Sequence, residues 1–213
     1  MTSGKNGQSH GQARRDYLRA EVLKVVERHL RDGVTYADLN VAEVAAEAGI
    51  SRSTFYAYFV DKMTLLRSWY EQMTGEILDA AHVWWSLDNT VTRDQLREAL
   101  RRILEAHRPH RELMAATHDA MGLDQGVREA VDTAMRRYVE GLRAHIQAGQ
   151  AGGFVDPTLP PEGIAYWLQW MAERGLHRIG GAPDDDQDTH LEAFTGIVWN
   201  TLYAPSSPRT SAA

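Results

Sequence analysis

At 213 residues, the chain is long enough to bury a hydrophobic core, and one or two domains are expected. No apolar run approaches the roughly 20 residues of a membrane-spanning helix. The sequence contains no cysteine, which excludes disulfides and cysteine-ligated metal sites. Because residues 1–15 also lack the apolar stretch of a secretory signal, these features together favour a cytoplasmic protein.

The net charge of −6 is unevenly distributed along the chain. Residues 1–67 contain 10 basic and 8 acidic residues, a net charge of +2, whereas residues 68–213 contain 13 basic and 21 acidic residues, a net charge of −8. Affinity for nucleic acid depends on the phosphates that a protein neutralises locally, not on its total charge. The negative total therefore does not exclude a nucleic-acid partner for the N-terminal third.

The first predicted helix covers residues 14–31 and is followed by a helix-ending Asp32-Gly33 pair. Its apolar residues recur at helical spacing and form one face: Leu18, Val22, Val25, Val26 and Leu30. Residues 1–13 are rich in glycine and polar side chains and are predicted to form a disordered N-terminal arm.

Two short helices joined by a tight turn are predicted within residues 41–62, VAEVAAEAGISRSTFYAYFVDK. Gly49 stands where a helix C-terminus requires a positive φ, and Ser51 is a favourable N-cap for the next helix. That second helix is expected to bury Phe55 and Phe59. It leaves several polar and aromatic residues for a partner: Arg52, Ser53, Thr54, Tyr56 and Tyr58. This pattern is typical of a helix-turn-helix that places its second helix in the major groove of DNA.

Six further helices are predicted at about residues 62–85, 92–107, 111–121, 125–150, 162–179 and 189–202. Residues 151–161 form a linker, and residues 205–213 are predicted to be a disordered tail. Since no segment shows strand periodicity, the sequence predicts an all-α protein of about nine helices. We expect a DNA-binding domain at residues 14–67 and a second helical domain at residues 68–204.

Neither of two clusters of potential metal ligands is convincing. His107, His110 and His118 are poorly spaced on a helix, and no cysteine or aspartate completes the set. The acidic residues at 184–188 resemble the start of a calcium loop, but Thr189 stands where that loop needs glycine; a solvated loop is the better interpretation. We expect no metal and no cofactor. No nucleotide-binding or hydrolase motif is present, so an all-helical enzyme is only the competing hypothesis.

The segment AGISRSTFYAYFVDKMTLL, residues 48–66, resembles the TetR family of bacterial transcriptional regulators. The family's pattern is a small residue, glycine, a hydrophobic residue and serine, then Phe-Tyr, and then Tyr-Phe followed two residues later by lysine. Every element of that pattern is present. The segments LPPEGIAYWLQWMAERGLHRIGG (159–181) and IVWNTLY (197–203) are similar to the subgroup of the ethionamide-resistance regulator, EthR.

The resemblance implies a homodimer with two DNA-binding domains and an effector site in each C-terminal domain. It assigns DNA contacts to eight positions: Thr35, Tyr36, Arg52, Ser53, Thr54, Tyr56, Tyr58 and Lys62. Arg52 is expected to recognise a base, because a guanidinium can form two hydrogen bonds with guanine. Lys62 and the N-terminus of its helix are expected to hold a phosphate.

The resemblance also implies an effector site that takes a small apolar ligand. Eleven residues are expected to line it: Leu96, Ala99, Ile103, His107, Val131, Met135, Tyr138, Leu142, Gln169, Glu173 and Trp199. Gln169, Glu173 or His107 would supply its polar contacts. Such residues at helical spacing are also ordinary core residues, and Glu173 could instead pair with Arg174 or Arg178.

The expected function is a repressor that its effector releases from the operator, with an activator or dual regulator as the alternative. The dimer is expected to form through a bundle of the last two helices of each chain. Seven residues are expected to contribute to that bundle: Trp167, Leu168, Met171, Gly175, Phe194, Val198 and Leu202.

Overall fold

The computed structural model describes the chain over residues 4–179 and 184–204. Within these ranges it contains nine α-helices and no strand, which confirms the all-α prediction. The helices are α1 (Gly4–Arg31), α2 (Val41–Glu47), α3 (Arg52–Tyr58), α4 (Lys62–Trp85), α5 (Arg93–His107), α6 (Arg111–Ala120), α7 (Gln125–Ala151), α8 (Pro161–Ile179) and α9 (Asp184–Leu202). A 3₁₀ turn at Arg108–His110 carries Pro109 and separates α5 from α6.

Helix α1 begins at Gly4, ten residues before the predicted start at residue 14. Extending an existing helix adds one hydrogen bond per residue fixed, whereas starting one is costly. The proline-free segment before Arg14 can therefore continue the amphipathic helix that follows it. The predicted tail at residues 205–213 lies outside the described residues.

Helix α9 begins at Asp184, so the prediction of a solvated loop over the acidic residues was wrong. Carboxylates in the first turn of a helix interact favourably with the positive end of its dipole. The run of aspartates at 184–186 is therefore compatible with a helix start, and only the part of the predicted loop before Asp184 lies outside the described residues.

The chain divides into two compact units. The first contains the residues up to Tyr70 together with Glu112–Ala130, and the second contains Glu71–Arg111 and the chain from Val131 onward. The first unit thus includes α6, which the sequence-based division assigned to the second domain. Buried apolar side chains from the first four helices form much of its core: Leu18, Val22, Val44, Phe55 and Leu65.

The core of the second unit joins side chains from α4, α5, α7, α8 and α9. Its buried members include Trp84, Leu96, Leu142, Leu168 and Val198. Helix α5 is capped at Thr92, whose hydroxyl accepts the Gln95 amide while the Gln95 side chain accepts the Thr92 amide. None of the helices in the described ranges is both long enough and apolar enough to cross a membrane.

Candidate nucleic-acid interface and effector region

Capping interactions fix both helices of the helix-turn-helix. The Asn40 side chain accepts the Ala42 amide (2.9 Å) at the start of α2, and the Ser51 hydroxyl accepts the Thr54 amide (3.0 Å) at the start of α3. Between the helices, Gly49 has a φ of 71°, the conformation that glycine adopts most readily. The predicted turn and cap are therefore both present, and they set the direction in which α3 leaves the turn.

The buried face of α3 is aromatic. Phe55 and Phe59 are 1% and 6% exposed, and their ring centroids lie 5.1 Å apart. This packing fixes the rotation of α3 about its axis. The opposite face, formed by Arg52, Ser53 and Tyr56, is consequently held towards solvent.

We call the exposed face of α3, with the half-buried Thr54 and Tyr58 at its edge, the recognition surface. The Arg52 guanidinium lies 5.7 Å from the centre of the Tyr56 ring, at cation–π distance. The Ser53 and Thr54 hydroxyls each lie 2.8 Å from the Ser51 hydroxyl. The surface therefore carries the Arg52 guanidinium beside a group of hydroxyls, a combination suited to contacts with base edges and phosphates.

The Lys62 side chain makes hydrogen bonds within the chain. Its ammonium donates to the carbonyl oxygens of Tyr36 (3.3 Å), Ala37 and Leu39 (3.3 Å). An ammonium has three N–H groups, so these three carbonyls can engage all of them. Lys62 therefore ties the start of α4 to the segment before α2.

Tyr36 also has an internal role. Its side chain is 4% exposed, and its hydroxyl donates to the Lys62 carbonyl. Burial raises the pKa of Tyr36 well above its ordinary value, and the Asp61 charge adds to that shift. Thr35, by contrast, is exposed, and its hydroxyl donates to the Asp38 carboxylate (2.7 Å). Tyr36 and Lys62, two of the eight predicted DNA contacts, thus also make contacts within the domain.

All eleven predicted effector residues belong to the second unit. Leu96, Ala99 and Leu142 lie in its hydrophobic core, and Ile103 and Trp199 are partly buried against that core. Val131, Tyr138 and His107 are also buried, whereas Met135, Gln169 and Glu173 are half-buried. The structure thus places five of these residues in or against one apolar cluster.

Two of the eleven residues expected to line the effector site have polar partners within the chain. The Tyr138 hydroxyl donates to the Thr74 carbonyl (2.7 Å). The Glu173 carboxylate lies 3.5 Å from the Arg174 guanidinium, which is one of the two ion pairs that the sequence left open. The Arg178 side chain lies outside the described residues.

A buried polar cluster in the second unit was missed by sequence reasoning. The Tyr203 hydroxyl accepts the Trp84 indole N–H (2.9 Å) and lies 2.6 Å from His145 Nε2, while His145 Nδ1 lies 3.0 Å from the Trp85 carbonyl. A consistent arrangement has neutral His145 donating from Nδ1 and accepting from Tyr203 at Nε2. Burial lowers the pKa of His145 and raises that of Tyr203, so both groups are uncharged near neutral pH.

Helices α8 and α9 expose an apolar face. Its members are Tyr166, Trp167, Trp170, Met171 and Ile197, of which Trp167 is the most exposed at 66%. Of the seven residues predicted to contribute to a dimer bundle, Trp167 and Met171 are exposed. Leu168, Val198 and Leu202 are instead buried in the core of their own chain, where they are not available to a partner. A helix turns by about 100° per residue, so Trp167 and Leu168 point in very different directions.

No group of three or more His, Asp or Glu side chains that could hold a metal ion occurs in the described part of the chain. His118 contacts the Met114 carbonyl through Nδ1 (2.9 Å), and His110 lies 3.1 Å from the Glu76 carboxylate. These histidines thus have structural contacts of their own.

Comparison with known families matches both parts of the chain. The family described as "Bacterial regulatory proteins, tetR family" matches residues 35–68, and the family described as "Transcriptional regulator EthR, C-terminal domain" matches residues 96–204. The second match covers more than half of the chain, and the first contains the whole helix-turn-helix.

Individual proteins agree with these matches. The transcriptional regulator EthR of Mycobacterium tuberculosis is 28% identical over 185 residues, which cover 85% of each chain. A TetR-family regulator from Syntrophomonas wolfei has a similar fold, with a TM-score of 0.68 at 16% identity over 92% of this chain and 100% of that one.

FadR from Bacillus subtilis, solved in complex with stearoyl-CoA, gives a TM-score of 0.61 at 15% identity over 90% of this chain and 98% of that one. These two structural likenesses concern the fold, whereas the family matches concern the sequence itself. The chain therefore belongs to the TetR family of DNA-binding transcriptional regulators, and it combines that family's helix-turn-helix with an EthR-type C-terminal domain.

Proposed function

We propose that the protein is a homodimeric repressor that binds its operator through the recognition surface and is released by a small apolar effector. The observation that carries this proposal is the recognition surface itself, because Arg52 is exposed on a helix whose direction and rotation are both fixed. Operator DNA in a bacterial cell lies in the cytoplasm, so that is where the protein would act.

Within the operator, Arg52 is the residue most suited to a base contact. Its guanidinium can donate two hydrogen bonds to the O6 and N7 atoms of guanine, and each such pair contributes about 1–3 kcal/mol of discrimination. Ser53, Thr54, Tyr56, Tyr58 and Thr35 would position the helix by contacts with the phosphate backbone. Lys62 would act indirectly, by holding the N-terminus of α4 in place.

The exposed apolar face of α8 and α9 supports the dimer. Tyr166, Trp167, Trp170 and Met171 lie on one helix, and large aromatic side chains and methionine are enriched in protein interfaces. Two copies of this face would bury each other across a two-fold axis. Such a dimer would present two recognition helices to successive major grooves about 34–36 Å apart.

The effector would act by shifting the equilibrium between two conformations of the dimer, one that binds DNA and one that does not. It must bind more tightly to a dimer whose recognition helices are wrongly spaced than to the DNA-bound form, because a ligand with equal affinity for both shifts nothing. The apolar cluster around Leu96, Ala99 and Leu142 favours a largely apolar ligand. FadR, the relative solved with stearoyl-CoA, makes a long-chain acyl compound a reasonable first probe.

The first test is selection of genomic fragments from the source organism by the purified full-length chain. We expect enrichment of a short inverted repeat, because a two-fold dimer requires a two-fold site. Anisotropy titration of that fragment with stearoyl-CoA, other acyl compounds and neutral ketones should then find a ligand that weakens operator binding. Retention of no specific fragment would contradict the DNA-binding role, and tight ligands that leave operator affinity unchanged would contradict the release.

A second test concerns the dimer. Replacing Trp167 with Glu should convert the dimer into a monomer in light scattering, because it would bury a charge in the apolar face. Leu123→Glu is the matched control, since Leu123 is 70% exposed and belongs to the first unit, whereas α8 and α9 belong to the second. If both variants remain dimeric, this face is not the interface.

A further inference from the structure

Two adjacent tryptophans at the end of α4 differ in the hydrogen bonding of their indole nitrogens. Trp84 donates its indole N–H to the Tyr203 hydroxyl (2.9 Å). The indole N–H of Trp85 is also buried, but it forms no hydrogen bond among the described residues. Buried indole N–H groups usually have a partner, so the contrast between the two residues requires an explanation.

The position of the Trp85 ring is fixed on several sides. A Cβ atom on Gly141 would lie only 2.3 Å from the Trp85 ring, so the indole can occupy this position only because α7 has no side chain there. The rings of His82 and Tyr138 meet it edge-on, at centroid distances of 5.1 and 6.5 Å. The backbone carbonyl of Trp85 contacts His145. A side chain held in this way cannot turn freely to find an acceptor.

The Trp85 ring also packs against the apolar cluster that contains Leu96, Ala99 and Leu142, three of the residues expected to line the effector site. Tyr138, a fourth, contacts the Trp85 ring directly. The Tyr138 hydroxyl is engaged with the Thr74 carbonyl. The indole N–H of Trp85 is therefore a hydrogen-bond donor without a partner in the described part of the chain, and it lies in the region where an apolar effector is expected to bind.

We infer that the indole N–H of Trp85 is the hydrogen-bond donor that recognises the effector, and that the effector carries a neutral carbonyl oxygen on an apolar body. The inference rests on the proposed effector-released function and names the ligand chemistry of that site. A neutral acceptor fits better than a carboxylate, because burying a charge against an uncharged donor costs far more than burying a carbonyl. Ketones, esters, amides and thioesters share this chemistry.

The test compares two probes that differ only in the carbonyl, 2-undecanone and undecane, on the full-length protein. In the wild type, the ketone should bind about 2- to 12-fold more tightly than the alkane, the range expected for one net hydrogen bond. In Trp85→Phe, which keeps an aromatic ring and removes the N–H, this preference should vanish. Trp84→Phe is the matched control and should retain it, because the Trp84 N–H already serves Tyr203.

A spectroscopic measurement on the wild type covers the possibility that Trp85→Phe folds poorly. The protein has six tryptophans, and the Trp85 indole resonance can be assigned by selective substitution. Its N–H proton should move downfield with 2-undecanone and move less with undecane. Equal shifts with both probes, no shift with either, or an unchanged ketone preference in Trp85→Phe would each overturn the inference.

Operator binding measured in the same samples separates this inference from the proposed function. If the ketone binds through Trp85 but leaves operator affinity unchanged, the release mechanism fails while the role of Trp85 stands. If a ligand releases the operator equally well from wild type and Trp85→Phe, the release mechanism stands and the role of Trp85 fails.

Discussion

The two units of this protein are organised by hydrogen bonds of very different sequence range. In the helix-turn-helix, Asn40 and Ser51 cap helices through bonds to residues two and three positions away. In the C-terminal unit, Tyr203 bonds to Trp84 across 119 positions and contacts His145 across 58. Local bonds leave a signature in a short stretch of sequence, whereas a bond across 119 positions forms only when the whole unit folds.

The strongest way to break the local organisation is to remove the aromatic core of α3. Phe55→Ala should lower the free energy of unfolding by about 3–5 kcal/mol, because Phe55 is 1% exposed and its loss leaves a cavity. Urea denaturation followed by circular dichroism measures this. Val60→Ala is the control, since Val60 is 78% exposed and should change stability by less than about 0.5 kcal/mol. Similar losses in both variants would contradict the predicted packing of α3.

The long-range cluster can be tested by deleting one hydroxyl. Tyr203→Phe keeps the ring but leaves the Trp84 N–H and His145 Nε2 without their partner. Each buried group left without a partner should lower the free energy of unfolding by about 1–3 kcal/mol. Denaturant titration should show the loss. Tyr166→Phe removes a hydroxyl from a side chain that is 48% exposed and should have little effect. Equal stabilities of wild type and Tyr203→Phe would mean that the cluster contributes nothing.

The variant Lys62→Met distinguishes a structural role of the Lys62 side chain from a contact with DNA. Lys62→Met should lower stability by about 1.5–3 kcal/mol, because it removes the charged donor shared by three carbonyl oxygens. Thermal unfolding in the absence of DNA is the measurement. An unchanged melting temperature together with weaker operator binding would instead support the phosphate contact that the resemblance implies.

His145 should make stability depend on pH. Burial lowers its pKa from the ordinary value of 6.5, so the folded state resists a proton that the unfolded state accepts. Its stabilising contribution is therefore complete above pH 6.5 and is lost as the pH falls from 6.5 towards the folded-state pKa. Denaturation midpoints at pH 7.5 and 5.5 should differ less in His145→Gln, whose amide can replace both hydrogen bonds without titrating. An identical pH dependence in that variant would exclude His145 as the source.

The same difference in range explains what the sequence could predict. The Gly49 turn, the Ser51 cap and the burial of Phe55 follow from neighbouring residues, and all are present in the structure. The internal role of Lys62 depends on carbonyls 23 to 26 positions away, and the motif gave no sign of it. Leu168 and Val198 were misplaced because apolar character alone does not decide whether a residue faces its own core or a partner.

Operator binding by Arg52→Ala shows whether the recognition surface binds DNA through Arg52. Arg52 is exposed on a helix anchored by other residues, so its removal should leave the melting temperature unchanged. Arg136→Ala, at an exposed position of α7 in the other unit, is the control for loss of one positive charge. We predict that operator affinity, measured by anisotropy at fixed salt, falls about 5- to 150-fold in Arg52→Ala and hardly changes in Arg136→Ala. Wild-type operator affinity in Arg52→Ala would mean that Arg52 makes no specific contact with DNA.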